Sequence, residues 1–500
     1  MLYRSTRGGV EAVTASRAIL QGLAEDGGLF VPETVPALPV RLEDLADLSY
    51  SETALAIMEA FLTDFTREEL QQCIAGAYDA KFDIPEIVRL KEADGAYYME
   101  LFHGSTIAFK DMALSILPHL MTTAAAKNAM KEDIVILTAT SGDTGKAALA
   151  GFADVPHTRI VVFYPKDGVS WIQERQMVTQ KGDNTAVIGI RGNFDDAQNG
   201  VKAMFNNAEL KERLARGGYR LSSANSINIG RLVPQIVYYV YAYGQLMKQK
   251  VLQAGEPMNV TVPTGNFGNI LAAYYAKRMG LPIAKLLCAS NDNRVLVDFF
   301  HTGCYDRNRP FILTTSPSMD ILISSNLERL IYEIAGEDAS ENRALMQELS
   351  REGRYRITPA MQAKLKDFYS DSASTDEVAA QIAALYEKSG YVIDTHTAVA
   401  SCVYDKYRKS TGDKTPTVIA STASPYKFPH SVLSAIDKSE AEETGENEQD
   451  VFAKMERLAA LSGVSIPAAV EELKTAPVRH NTVCGKDQMQ AVTEALLLKK

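Results

Sequence analysis

Lys110 is the residue whose position most strongly suggests chemistry. It follows the apolar residues Ile107, Ala108 and Phe109, shortly after a polar loop that begins at His103. An ammonium group is strongly hydrated, and burying it without a partner is costly. The side chain therefore either reaches back to solvent or is held partly desolvated, where a lowered pKa would let its amine form a Schiff base.

Two further segments each lie between a predicted strand and a predicted helix. Segment 138–145 (TATSGDTG) offers hydroxyl and backbone N–H groups that suit a small anion such as a carboxylate. The alternative is a helix cap formed by Ser141 or Asp143. The segment is not a P-loop, because Ala147 follows its Gly-Lys pair in place of Ser or Thr. Segment 264–269 (TGNFGN) fits either a phosphate cradle at a helix start or an ordinary tight turn.

Polar groups also follow two other predicted strands. The stretch SANSINIGR contains Asn225, Ser226 and Arg231, whose planar guanidinium can bind a phosphate or a carboxylate through two N–H groups. The alternative is an arginine that faces solvent early in a helix. The stretch STASPYKF offers the hydroxyl of Thr422 at the sheet edge, although a turn at its proline explains the segment as well.

The elements that must position these groups alternate between strands and helices from about residue 95. Near-continuous apolar strands separated by helices predict βαβ units and a parallel sheet covered on both faces. Ligands of such sheets bind beyond the carboxyl ends of the strands, where the four segments lie. The predicted strands are 96–102, 133–139, 159–164, 185–190, 259–264, 285–290 and 417–421, and the clearest helices are 230–247 and 268–279.

The chain is expected to have three parts. Residues 1–90 form a mostly helical N-terminal domain, with its clearest helix at 52–65. Residues 91–437 form the α/β region, in which a large and a small subdomain are interleaved. Residues 438–500 form a tail, which opens with an acidic, solvated loop at 439–450 and continues as amphipathic helices.

Composition excludes several classes of protein. The formal net charge of −10 over 500 residues leaves no basic face for nucleic acid. The five cysteines and seven histidines are scattered, so neither a metal site nor a disulfide framework is expected. No secretory signal is visible, and the apolar tracts fall short of the roughly 20 residues that span a bilayer. We expect a cytoplasmic protein that binds no membrane.

A lysine in an apolar context, a phosphate-type loop, a hydroxyl-rich loop and an Asn-Ser-Arg cluster together suit a phosphorylated aldehyde cofactor and a second anionic substrate. The chain resembles the threonine synthase family, pyridoxal-phosphate (PLP) enzymes of fold type II. The similarity extends from STRGG at 5–9 and LAEDGGLFVP at 23–32 to STASPYKF at 421–428. It implies parallel-sheet αβα domains with PLP as the cofactor.

The resemblance also implies a role for each motif. Lys110 would carry the cofactor, and Thr422 would meet its pyridine nitrogen. Asp143 stands where many relatives have an asparagine that contacts the cofactor's phenolic oxygen, and its role is left open. The residues implied to hold the cofactor phosphate are Gly265, Asn266, Phe267, Gly268 and Asn269. Those implied to bind substrate are Thr140, Ser141 and Thr144 at its carboxylate and Asn225, Ser226 and Arg231 at its phosphate.

The implied activity is that of a PLP-dependent lyase that converts O-phospho-L-homoserine and water to L-threonine and phosphate by γ-elimination and β-addition. Alternatives within the fold are a related phospholyase and a serine or threonine dehydratase, whose substrates carry no phosphate. A non-catalytic sensor of a phosphorylated amino acid is a third. Relatives occur as monomers and as homodimers, so the sequence leaves oligomeric state open.

Overall fold

The apolar strands of the sequence pair in two largely parallel sheets, which confirms the expected α/β class. A computed structural model describes residues 1–140, 142–437 and 448–498. The strands are β1 Leu2–Ser5, β2 Val13–Thr14, β3 Phe30–Pro32, β4 Arg89–Ala93, β5 Ala96–Glu100, β6 Asp133–Ala139, β7 Thr158–Pro165, β8 Thr185–Arg191, β9 Tyr219–Ser222, β10 Met258–Pro263, β11 Ile283–Ser290, β12 Cys304–Asp306, β13 Arg354–Arg356, β14 Phe368–Ser372, β15 Thr417–Ser421 and β16 Thr482–Gly485.

Helices cover the sheets and also occur in the N-terminal and C-terminal segments. They are α1 Ala15–Gln21, α2 Tyr50–Phe61, α3 Arg67–Ala77, α4 Asp111–Leu114, α5 Leu117–Lys127, α6 Asp143–Phe152, α7 Trp171–Val178, α8 Phe194–Asn206, α9 Ala208–Arg216, α10 Ile229–Lys248, α11 Gly268–Arg278, α12 Val295–Thr302, α13 Leu327–Ile334, α14 Ala339–Glu352, α15 Pro359–Ala363, α16 Thr375–Ser389, α17 Thr395–Thr411, α18 Pro429–Ile436, α19 Glu448–Ser462, α20 Ala468–Glu471 and α21 Met489–Leu498.

The larger sheet has six strands in the order β14-β11-β10-β15-β5-β4, and the smaller sheet has five in the order β16-β8-β7-β6-β9. All neighbouring pairs are parallel except β4 and β5. The order makes β10, β15 and β5 neighbours in the larger sheet. The loops that follow these three strands therefore emerge side by side at one edge of the sheet.

The N-terminal segment packs into the same core as the larger sheet. Tyr3, Phe30 and Phe61 lie in one apolar cluster with α10, a helix that is buried along nearly its whole length. The expected boundary at residue 90 falls within β4, a strand that pairs with β5 of the sheet. The short antiparallel sheet β2-β1-β3 adds strands to a segment expected to be mostly helical.

Capping explains why the predicted helix at 52–65 is displaced in the structure. Ser49 and Glu52 form a capping box, so α2 begins at Tyr50. The helix ends at Phe61 because the chain must turn before Thr66, whose side chain caps the next helix, α3.

The C-terminal tail contributes residues to two apolar clusters and contains a strand as well as helices. Strand β16 pairs in parallel with β8, while α19 packs its apolar face, including Phe452 and Met455, against the cluster of α16–α18. Residues 439–447 of the acidic stretch lie outside the described residues. Within the described part of the chain, no helix is long and apolar enough to cross a membrane, and no group of three or more His, Cys, Asp or Glu could hold a metal.

Candidate active site

Three of the predicted loops meet at the carboxyl ends of adjacent strands. Lys110 follows β5, the 264–269 loop follows β10, and Thr422 follows β15. The backbone N–H of Phe109 donates to the carbonyl of Thr422 over 2.8 Å, and the next pair along the two loops is also bonded. These backbone hydrogen bonds hold the loop that carries Lys110 in place.

Lys110 does not reach back to solvent. Its side chain is only 13% exposed, and its Nζ donates to Ser318 Oγ over 3.1 Å. Burial lowers the pKa of Lys110, although Asp143, whose Oδ2 lies 3.6 Å from Nζ, opposes this shift. Of the two possibilities that the sequence offers, the structure therefore favours the partly desolvated amine.

Asp143, at the start of α6, is surrounded by donors. Ser318 Oγ donates to Oδ2 over 3.0 Å, Gln173 Nε2 donates to Oδ1 over 3.0 Å, and Lys427 Nζ lies 3.2 Å from Oδ1. Burial alone would raise the pKa of Asp143, but the charges of Lys427 and Lys110 outweigh it and hold that pKa below its ordinary value. The residue is therefore a buried carboxylate anion.

The loop that carries Ser318 is anchored by a histidine. The Ser318 backbone N–H donates to His396 Nε2 over 3.1 Å, so the ring carries its proton on Nδ1, which contacts Asp394 Oδ2 at 2.8 Å. Asp394 also caps α17, because its carboxylate accepts from the backbone N–H groups of His396 and Thr397. These bonds position the hydroxyl that Lys110 contacts.

The 264–269 loop has the backbone of an anion cradle. Phe267 adopts a left-handed conformation at φ 63°, and α11 begins immediately after it. The first N–H groups of a helix have no intrahelical partner and can face a bound anion. Asn326 Nδ2 and backbone N–H both donate to the Asn266 carbonyl, which holds the loop in place. The Asn269 side chain turns toward α10 instead, where its Oδ1 accepts from Tyr238.

Gly265 leaves no room for a side chain. A Cβ at this position would lie 2.6 Å from the Ser318 carbonyl oxygen, so Gly265→Ala should displace one of the two loops. We expect PLP affinity to fall about 10- to 100-fold, measured by fluorescence titration. Gly485→Ala is the control, because φ there is −76° and the nearest contact would be 3.5 Å. An unchanged affinity in Gly265→Ala would remove this loop from cofactor binding.

Arg231 is buried at the start of α10, at 3% exposure, so the solvent-facing alternative is wrong. Its Nη1 donates to the Ala224 carbonyl over 3.1 Å, whereas its buried Nε has no partner among the described residues. Burial lowers the pKa of Arg231 to about 10. Ser226 Oγ lies 3.5 Å from Asn326 Nδ2, and Asn225 is exposed. The cluster thus contains one incompletely bonded guanidinium.

The hydroxyl-rich loop after β6 is organised by its own threonine. Thr140 Oγ1 accepts from the backbone N–H groups of Gly142 and Gly145, each over 2.9 Å, while Thr144 is half-buried at the start of α6. Ser141 lies outside the described residues. The substrate-binding roles of these three hydroxyls stay predictions.

Several residues at this site are missing from the sequence-based prediction. Ser318 and His396 come from segments that do not follow a predicted strand, and Gln173 lies in α7, beyond the turn that follows β7. Lys427 lies in STASPYKF, and its position shortly after the predicted strand 417–421 was the available signal. Their contacts with Asp143 and Lys110 join parts of the chain that are distant in sequence.

His103, at the start of the Lys110 loop, makes stability depend on pH. Its Nδ1 lies 2.6 Å from Asp83 Oδ1 and its Nε2 lies 3.1 Å from Glu100 Oε2. Burial opposes the charged ring, but the two carboxylates outweigh it and raise the pKa of His103 from 6.5 to about 9.

The raised pKa stabilises the folded protein fully below pH 6.5, and this contribution is lost as pH rises through 9. The loss should be about 3 kcal/mol, measured as the free energy of unfolding in urea between pH 6 and 10. His103→Gln should flatten this part of the profile. An equally steep profile in the variant would contradict the assignment.

Three protein-family models match most of the chain. The model described as "Threonine synthase N terminus" matches residues 2–78, "Pyridoxal-phosphate dependent enzyme" matches 84–423, and "Threonine synthase, C-terminal" matches 397–476. Threonine synthase of Saccharomyces cerevisiae is 35% identical over 466 residues, which cover 87% of this chain and 89% of that protein. The chain belongs to the threonine synthase family.

Solved structures of the threonine synthase family share the whole fold. PLP-bound threonine synthase from Brucella melitensis has a TM-score of 0.85 at 36% identity, covering 99% of this chain and 98% of that one. Yeast threonine synthase gives 0.87 at 32% identity, covering 100% and 99%. "Threonine synthase-like 1" of Homo sapiens is 39% identical over 492 residues, 96% of this chain, but the chain spans only about 65% of that relative's length. The expected family and fold type are confirmed.

Proposed function

We propose that this chain is a threonine synthase, which converts O-phospho-L-homoserine and water to L-threonine and phosphate with PLP bound covalently at Lys110. The observation that carries the proposal is a buried guanidinium that lies apart from the loop after β10. Arg231 is buried and incompletely hydrogen-bonded, and it lies close enough to Lys110 to contribute to the lowering of its pKa. A cofactor phosphate and a substrate phosphate would thus each have a separate place.

The residues present fit the cofactor. A left-handed Phe267 and a Gly265 without space for a Cβ form a tight cradle at the start of α11, and the lysine opposite is desolvated. Gly265, Asn266, Phe267, Gly268 and Asn269 would hold the phosphate group. Thr422, whose carbonyl accepts a backbone hydrogen bond from the Lys110 loop, would face the nitrogen of the cofactor ring. PLP, when bound, supplies an electron sink for charge on the carbons beside the substrate amine.

The chain's own groups would perform the remaining tasks. Lys110 would act as a general base that moves protons at Cα and Cβ, and burial, which lowers its pKa, favours that role. Thr140, Ser141 and Thr144 would hold the substrate carboxylate. In the overall reaction the Cγ–O bond breaks and phosphate leaves. Cβ loses a proton and Cγ gains one, the water oxygen bonds to Cβ, and the proton that the water gives up goes to the released phosphate.

Arg231, with Asn225 and Ser226, would stabilise charge on the departing phosphate. A single preorganised buried donor at such a position is worth about 3 kcal/mol of the barrier. The guanidinium has no ion pair with a carboxylate among the described residues, so its charge is available to a ligand.

A phospholyase that acts on another phosphorylated amino alcohol is the second candidate. It is favoured by the 39% identity to "Threonine synthase-like 1" proteins, which extend beyond the part this chain spans. A serine or threonine dehydratase is less suited, because its substrate would leave Arg231 without an anion. A sensor without catalysis would have little use for a desolvated Lys110.

The test is a substrate panel with the PLP-loaded protein. We expect phosphate and L-threonine in equal amounts from O-phospho-L-homoserine, measured by a coupled phosphate assay and by chromatography. O-phospho-L-serine and L-threonine should give no product. A higher kcat/KM for O-phospho-L-serine would support the phospholyase, and a keto acid formed from L-threonine would support the dehydratase.

A further inference from the structure

Lys427 is a buried cation that the proposed reaction does not use. Its side chain has no solvent exposure, although it lies only six residues after the end of β15. Its Nζ donates to Gln176 Oε1 over 2.9 Å and to the Thr106 carbonyl over 3.2 Å, and it lies 3.2 Å from Asp143 Oδ1. Burying a charge costs free energy, so the buried position of the Lys427 ammonium group at this site indicates a function.

Asp143 lies between two ammonium groups. Its Oδ1 faces Lys427 at 3.2 Å and its Oδ2 faces Lys110 at 3.6 Å. A carboxylate that paired with Lys110 alone would favour the protonated, unreactive form of that amine. The closer contact with Lys427 divides the negative charge between two cations and so weakens its hold on Lys110.

We propose that Lys427 is a positioning residue, which engages the carboxylate of Asp143 so that the amine of Lys110 stays available for covalent chemistry. The inference rests on the proposed role of Lys110. It assigns a role to Asp143 as well, because the carboxylate orients the Lys110 amine through Ser318 without neutralising its reactivity.

Other charged groups also lie around Lys110 and Lys427. They either lower the pKa of Lys110 further or are hydrogen-bonded to other partners. Arg231 from α10 adds to the repulsion that disfavours a charged Lys110. Asp111 of α4 faces Lys427, but Thr106 donates to both of its carboxylate oxygens. His396 of α17 lies near Asp143.

Lys146 of α6 is a further buried lysine close to Lys427. Burial and repulsion from Lys427 lower the pKa of Lys146 to about 8, while Asp111 and Glu472 oppose the shift and Lys181 adds to it.

The experiment measures Lys110 titration in the full chain after the cofactor has been removed. Trace acetylation by acetic anhydride is followed at Lys110 by peptide mass spectrometry from pH 6 to 11, with exposed Lys131 as the internal reference. Lys427→Met should raise the midpoint by about one to two pH units and slow labelling at pH 7 about tenfold or more. Asp143→Asn should lower the midpoint, and the double variant should return it toward wild type.

A structural role for Lys427 would give a different pattern. A folded Lys427→Met protein with an unchanged Lys110 midpoint would overturn the proposal. If Lys427→Met does not fold, Asp143→Asn decides, because a midpoint that fails to fall would show that Asp143 does not hold Lys110. In the PLP-loaded protein, the pH midpoint of the visible absorbance should move in the same directions. Acetylation needs no cofactor or substrate, so its outcome is separate from turnover of O-phospho-L-homoserine.

Discussion

Lys110→Ala is expected to abolish turnover and covalent attachment of PLP while leaving the chain folded. The side chain contacts Ser318 and Asp143, and α4 begins after it without a side-chain cap from Lys110, so its loss should leave the surrounding elements intact. Turnover should fall by at least about 1,000-fold, because the covalent link and the general base are lost together. Phosphate release and far-ultraviolet circular dichroism are the measurements.

A matched control uses a lysine outside the site. Lys277 on α11 is also partly buried and lies 3.3 Å from Asp367. The PLP-loaded Lys277→Ala protein should keep both its visible absorbance and its kcat within about twofold of the wild-type values. Full activity in Lys110→Ala would refute the assignment of the cofactor lysine.

Arg231→Ala should lower kcat/KM for O-phospho-L-homoserine about 100- to 1,000-fold, the loss expected for one buried charge-stabilising donor. The guanidinium donates to the Ala224 carbonyl at the turn before α10, so a partial loss of local order is expected as well. Attachment of PLP at Lys110 should persist, because the loop proposed to hold the cofactor phosphate leads into a different element, α11. Steady-state kinetics and visible absorbance separate the two effects.

Arg231→Lys provides the comparison for the arginine. It keeps the charge but loses the planar pair of donors, so its kcat/KM should fall between those of Arg231→Ala and the wild type. Equal kcat/KM in the wild type and in Arg231→Ala would exclude Arg231 from the substrate site.

Much of the fold follows from local sequence pattern. Strand β6 and strand β15 match their predicted bounds, and the other predicted strands are displaced by at most two residues at either end. The loops after β5, β10 and β15 could be expected to meet, because ligands of parallel sheets bind at the carboxyl ends of strands. The sequence could not show that β15 lies between β10 and β5, since strand order depends on packing over the whole chain.

The inner contacts of the site could not be predicted in the same way. Ser318 lies in the long connection between β12 and α13, with no periodic pattern, yet its hydroxyl bridges Lys110 and Asp143. Lys427, whose Nζ lies 3.2 Å from Asp143 Oδ1, is 284 positions further along the chain. Such pairs form only after two sheets and their helices have packed, so spacing in the sequence carries no sign of them.

The covalent link between Lys110 and the cofactor is the claim on which the account depends. Its most direct test is borohydride reduction of the PLP-loaded protein, followed by proteolysis and mass spectrometry. The account predicts that the visible absorbance disappears and that the pyridoxyl mass is found on the peptide containing Lys110. A pyridoxyl group on another lysine, or on none, would contradict it.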